Sequence, residues 1–269
     1  MVNDQRIFLI AVIILIFVGA ALLIFSGTVN TIITPPVAYK TPNGIITVWI
    51  PLPDIPQNIT RYHVILQENN TAYYTVANLE KVRQNVTSEI DAHKVAQNIL
   101  ERYGGLPEGA ILVYNKTEYL EEKSGSSYHV IAKYPVSTDI FYGRKLNGVK
   151  VTGDGGFIKV ILGNDDELLY LNKVWRTVEP AGTENVIPVT KAIEKLGRGE
   201  VLDPLKCFCD INVDRIDIAY WEKGAGVDQE YLDPVWVFSG TTVSGEVIDY
   251  KVYAREEDDI PKTPVWKSS

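Results

Sequence analysis

The sequence predicts an α+β protein: an N-terminal transmembrane helix followed by two tandem units, each a helix plus an antiparallel sheet. Three observations lead there. Residues 7–25, IFLIAVIILIFVGAALLIF, form an uninterrupted apolar run without charge or proline. Two segments further on carry apolar residues at helical spacing and end in glycine. Each is followed by short β-branched and aromatic runs separated by turn residues. The implied organisation is a cytoplasmic head at 1–6, an anchor at 7–25, a Pro-containing stalk at 26–57, a first α+β unit at 58–180, a second at 181–255 and an acidic tail at 256–269.

At ~1.5 Å rise per residue the first run gives a helix ~28 Å long, close to the ~30 Å hydrocarbon thickness of a bilayer. It exceeds the ~7–15 residues of a secretory core, and Ser26-Gly27-Thr28 is a poor cleavage site, so a retained signal-anchor is expected. Arg6 precedes the run and the residues just after it are uncharged, which favours a cytoplasmic N-terminus and an extracytoplasmic body. Four N-x-S/T sequons, at Asn58, Asn69, Asn85 and Asn115, are glycosylation candidates in an exported chain. The expected placement is therefore single-pass in a cell membrane, with the C-terminal body in the envelope.

The stalk holds Pro35-Pro36, Pro42, Pro51, Pro53 and Pro56 around one strand candidate, GIITVWI at 44–50. RYHVIL (61–66) and TAYYTV (71–76) read as short strands. Ser88-Glu89-Ile90-Asp91 is a helix start, with the serine oxygen free to accept an early N–H and an acid three residues on. Ile90, Val95, Ala96, Ile99, Leu100 and Tyr103 then share one face, and Gly104-Gly105 stops the helix. His93 reads as a solvent-facing or edge residue of it. Strand candidates follow at 111–120, 128–134 and 141–151, in FIKVILG, and at 167–178, with Asn147-Gly148 and the cluster Gly163 to Asp166 as hairpin turns. In the second unit, 187–200 is helical, with Thr190 as cap candidate and Gly197 and Gly199 as stops. Strands are expected at 211–221, 234–240 and 246–254.

Chemistry is sparse. There is no HExxH, P-loop or GxSxG pattern. Gly153-Asp154-Gly155-Gly156 leads into a strand rather than a helix, so it lacks the dipole that would hold a phosphate and reads as a hairpin turn. The three histidines, His63, His93 and His129, are scattered, and Asp165-Asp166 sits at a turn tip. No catalytic, metal-ligating or cofactor-binding residue set is expected. A net charge of −8 excludes nucleic acid as a partner. Cys207 and Cys209, the two cysteines, admit three readings: small semi-buried side chains, a strained disulfide, or a redox or metal role.

From about 88 to 254 the pattern resembles PepSY-type modules. The features that carry the likeness are the helix DAHKVAQNILERYGGLPEGA, the run FYGRKLNGVKVTGDGGFIKVILGNDDELLYL, and IPVTKAIEKLGRGE followed by IDIAYW and LDPVWVF. Glu167 stands where those modules usually have glycine. With the N-terminal span, the last part is similar to YycH/YycI-type membrane-anchored regulators. The resemblance implies a non-catalytic binding or regulatory protein that acts on a membrane or envelope protein through protein–protein contacts. The alternatives are an inhibitor or propeptide-like partner of a secreted or envelope protease, or a structural cell-surface protein.

Overall fold

A computed structural model describes residues 36–54, 57–67, 71–75, 85–125, 128–204 and 209–256. Its strands are β1 (Val37–Thr41), β2 (Gly44–Val48), β3 (Asn58–Gln67), β4 (Thr71–Tyr74), β5 (Ala110–Lys123), β6 (Val130–Leu146), β7 (Val149–Thr152), β8 (Phe157–Leu162), β9 (Leu168–Val174), β10 (Arg176–Asn185), β11 (Ile211–Trp221), β12 (Tyr231–Thr242) and β13 (Val247–Tyr253). The helices are α1 (Glu89–Leu100), extended by one 3₁₀ turn, and α2 (Val189–Arg198).

All thirteen strands join one sheet, with the main path β10-β3-β12-β11-β7-β6-β8-β9-β4. Off this path β5 pairs with β6, β13 with β12, and the β1–β2 hairpin with β11. Local hairpins build most of it, and Asn147 (φ 49°) and Gly148 (φ 83°) make the tight β6–β7 turn that Asn-Gly favours. The joint between the two halves is non-local: β7 lies parallel to β11, with Lys150 opposite Ala219 and Thr152 opposite Trp221.

Two helices cover separate stretches of the sheet. Helix α1 lays Ala92, Ala96 and Leu100 on Ile140, Tyr142, Ile158, Val160, Leu162 and Leu171, all fully buried. Ser88 caps it, its oxygen accepting the Asp91 N–H, as the sequence suggests. Helix α2 packs Ala192, Ile193 and Leu196 against Ile46, Val48, Val213, Trp236, Phe238 and Tyr250. Trp236 donates its indole N–H to Ile187 O at 3.0 Å, so the largest buried ring is also polar-satisfied.

Several expectations need correction. The fold is not α+β with two tandem helix-plus-sheet units: strands dominate, the two helices are only 12 and 10 residues long, and one continuous sheet runs through both spans. The cause is long-range pairing that local periodicity does not register, above all β3 inserting between β10 and β12. The single-pass membrane placement is corrected as well: no helix among the described residues is long and apolar enough to cross a membrane. Residues 7–25 lie outside the described residues. On α1, Ile90 is 93% exposed, because the buried row runs through Ala92, Ala96 and Leu100 at four-residue steps and Ile90 lies off it. On α2 the cap position is Pro188 rather than Thr190, and Gly197 lies within the helix while Gly199 (φ 79°) ends it.

Two predictions follow from this packing. Gly197→Ala raises helix propensity by about 1 kcal/mol in isolation. Here the added methyl would overlap the Thr41 side chain of β1. The substitution is therefore expected to destabilise the protein by about 1–3 kcal/mol in urea titrations, opposite in sign to the propensity scale. Tyr142 is buried beneath α1 and bonded at 3.0 Å to His93 Nδ1, and burial pushes its phenol up to about 12. The unfolded chain releases that proton near pH 10, so above pH 10 it binds fewer protons than the folded chain. Stability is then lost as pH rises from about 10 to about 12, and Tyr142→Phe is expected to flatten that slope in denaturation midpoints across the window.

Candidate functional site

Where β7 meets β11, one carboxylate is enclosed by two guanidiniums. Glu222 directly follows β11 and is completely buried. Its Oε2 accepts from Arg144 Nη1 of β6 at 3.0 Å. Its Oε1 accepts the backbone N–H of Arg176 at 3.1 Å and lies 3.6 Å from Arg176 Nη1. Arg144 also donates to Arg176 O at 2.8 Å and lies over the Trp175 ring at 4.8 Å. Burial pushes the Glu222 carboxyl above its ordinary range, against the opposing pull of Arg144 and Arg176.

The glycine-rich segment 153–156 closes over this carboxylate. A Cβ at Gly153 would overlap Glu222 O, and one at Gly155 would overlap Lys223 O. Gly155 N–H donates to Glu222 O at 3.0 Å. The segment is more than the hairpin turn expected of it: its missing side chains let the β7–β8 connection lie directly on the chain leaving β11.

Arg176 then fixes the next loop. Its guanidinium donates to Lys223 O, to Gly224 O at 3.0 Å and to Val227 O at 2.6 Å. Gln229, buried, accepts from Lys223 N and donates to Trp221 O, both at 2.8 Å. The loop 223–230 so held forms one wall of a polar cavity of about 350 Å³. Arg61 of β3, Glu184 of β10, Tyr231 and Asp233 of β12, and Arg255 complete its lining with Glu230. Arg255 Nη2 lies 3.1 Å from Asp233 Oδ1, and Arg255 Nη1 lies 3.9 Å from Glu184 Oε1. Burial raises the Asp233 carboxyl, opposed by Arg255, Lys223 and Arg61. Arg61 stacks its guanidinium 3.7 Å over the Tyr231 ring.

The second feature is a β ribbon. On one side of β6, residues 138–142 pair with β8 and 144–146 with β7, whereas 130–137 pair with β5 alone. The outer ribbon carries Tyr119, Leu120, Tyr128 and Ile131, between 52% and 81% exposed. Nearer the body, Glu89 at the start of α1 accepts the Thr117 N–H at 2.8 Å, and Asn115 donates its side-chain amide to Glu89 O. That part of the β5 edge is closed.

The residues singled out in the sequence lie apart. Asn58 opens β3, Asn85 donates to Asp165 at 3.3 Å, Asn115 is engaged on α1, and Asn69 lies outside the described residues. Cys209 is disulfide-bonded, and Cys207, the other cysteine of the sequence, lies outside the described residues. His93 is half-buried against Tyr142, His63 lies 3.7 Å from Glu179, and His129 is exposed. Among the described residues no group of three or more His, Cys, Asp or Glu could hold a metal ion. Sequence reasoning missed Arg61, Arg144, Arg176, Glu222 and Arg255. The glycine spacing at 153–156 was the available signal, since so many glycines in one turn mark close backbone approach.

No family profile matches the chain, and no curated protein matches it. A solved structure of an uncharacterized protein from Eubacterium rectale ATCC 33656 is similar at 9% identity and a TM-score of 0.38, over 82% of this chain and 92% of that one. A likeness at that level carries no argument about fold or activity here.

Glu222→Gln keeps the shape of the buried side chain but removes the charge that faces Arg144 and Arg176. It is expected to cost about 3–5 kcal/mol in urea unfolding, because two guanidiniums are then left without a counter-charge.

Proposed function

We propose that the chain is a non-catalytic binding protein acting through protein–protein contacts, and that the outer β5–β6 ribbon makes them. The observation that carries this reading is the exposure of Tyr119, Leu120, Tyr128 and Ile131 on a two-stranded projection whose β5 edge has no strand partner among the described residues. Exposed apolar strand edges are the template for strand addition, and folded proteins normally blunt them. The stretch beside α1 is closed by Glu89, whereas among the described residues no helix or strand lies along the β5 edge from Glu118 outward.

The occupant that fits is an extended segment of a different protein with apolar residues alternating with polar ones. The ribbon's charges are largely matched within it: Lys116 pairs with Glu118, Lys123 and Lys133 pair with Glu121, and Tyr134 donates to Glu122, which leaves the exposed aromatic and aliphatic side chains as the contact surface. A second copy would bring another net charge of −8 to the edge.

The test is photo-crosslinking in the native cell, with a photoreactive residue at Leu120 or Ile131 and, as control, at Val243, which is equally exposed but lies at the β12–β13 turn. A discrete adduct with another polypeptide from 120 and 131, and none from 243, is the expected result. Adducts of the chain with itself, or no adduct from either ribbon position, would overturn the proposal.

A further inference from the structure

Of the charged groups lining the polar cavity, Arg61, Lys223 and Glu230 form no ion pair among the described residues, and of these Lys223 has its Nζ engaged by Asp228 O at 3.3 Å. Arg255 is neutralised by Asp233 and Glu184. Arg61 has its Nε buried without a hydrogen-bond partner, and it forms no ion pair among the described residues. Its guanidinium is held in one plane by the Tyr231 ring at 3.7 Å, with His63 tilted against the same ring at 5.2 Å. Glu230, exposed in the same lining, likewise forms no ion pair among the described residues.

We infer that this cavity binds a small zwitterion of amino-acid to dipeptide size, its carboxylate on Arg61 and its ammonium group on Glu230. A planar guanidinium fixed by an aromatic face is preorganised for two parallel N–H···O bonds to one carboxylate. The cavity volume, about 350 Å³, lies at the small end of the range for ligand sites. The charge balance selects against a simple anion. Glu184, Asp228, Glu230 and Asp233 face three cations, so a dianion such as phosphate would meet more negative than positive charge. The walls are firm before any ligand arrives, because Arg176 and Gln229 already fix the loop 223–230.

The site stands independently of the ribbon, and its test reads only the cavity. Glycine, glycylglycine, acetate, ethylammonium and inorganic phosphate are titrated into the isotopically labelled full chain, following the Arg61 side-chain Nε–H signal by NMR. Saturable shifts with glycine or glycylglycine are expected, at dissociation constants of about 10 mM or below, and at least about tenfold weaker effects with the other three. Glycine alone points to free amino acids, glycylglycine alone to short peptides, and either result supports the inference. Arg61→Gln is expected to weaken the bound zwitterion at least about tenfold, and Arg61→Lys, which keeps the charge but loses the planar fork, nearly as much. Because the Arg61 side chain makes no hydrogen bond among the described residues, a thermal melt lowered by no more than the loss of its contact with the Tyr231 ring is expected for both. Glu230→Gln should weaken glycine or glycylglycine and leave acetate unchanged. No saturable shift with either zwitterion, acetate or phosphate binding as tightly as glycine, or unchanged affinity in Arg61→Gln would overturn it.

Discussion

The carboxylate of Glu222 holds the two halves of the sheet in one register. One half, β4 to β9 with β5, is assembled from neighbouring hairpins under α1. The other, β10 to β13 with β1, β2 and β3, is assembled under and around α2. Only three residues of β7 pair with β11, a short seam for a sheet of this width. The ion cluster reinforces that seam with side chains from three separate strands' ends: Arg144 from β6, Arg176 from β10 and Glu222 from β11. An isolated buried carboxylate would cost several kcal/mol, and so would each guanidinium. Together, with further guanidinium donors on the carbonyls of Arg176, Lys223, Gly224 and Val227, they become tolerable in one arrangement and costly in any other. The cluster thus favours the native register against slipped pairings more than it adds net stability.

One carboxylate cannot neutralise two arginines, and the surplus charge has a visible destination. Arg176 spreads its charge over the carbonyl oxygens of Lys223, Gly224 and Val227. Those oxygens belong to the loop that walls the polar cavity, so the demand of a core ion cluster for acceptors is what shapes a surface feature. The same logic explains the glycines at 153, 155 and 156: a β7–β8 connection that bore side chains there could not approach Glu222 and Lys223 closely enough to seal the cluster from water.

Local order in this protein was legible and global order was not. The Ser88 cap, the Asn147-Gly148 turn and most strand cores depend on residues within a few positions of one another, and each stands where the pattern put it. The sheet path depends on β3 finding β10 and β12 across more than 100 residues, and on a parallel seam between β7 and β11. Hydrophobic alternation says which residues of a strand face the core, not which strand lies beside it. The arginines were illegible for a related reason. Arg144, Arg176 and Glu222 are ordinary surface-type residues one at a time, and their burial becomes visible only when 32 and 46 positions of intervening chain are folded back.

Edge management separates the ribbon from the rest of the sheet. Where β5 runs beside α1, the first turn of that helix supplies a carboxylate to a strand N–H, so an edge that could recruit another chain is terminated by the protein itself. Farther out no helix follows the strand among the described residues, and Tyr119 and Leu120 stand 52% and 54% exposed between Glu118 and Glu121. Mere tolerance of an apolar edge would not require the ribbon to extend past the last strand that supports it. Extending β5 and β6 beyond β8 costs backbone entropy and buries little within the chain. The projection, rather than the apolar residues alone, is therefore the feature on which the proposed contacts rest.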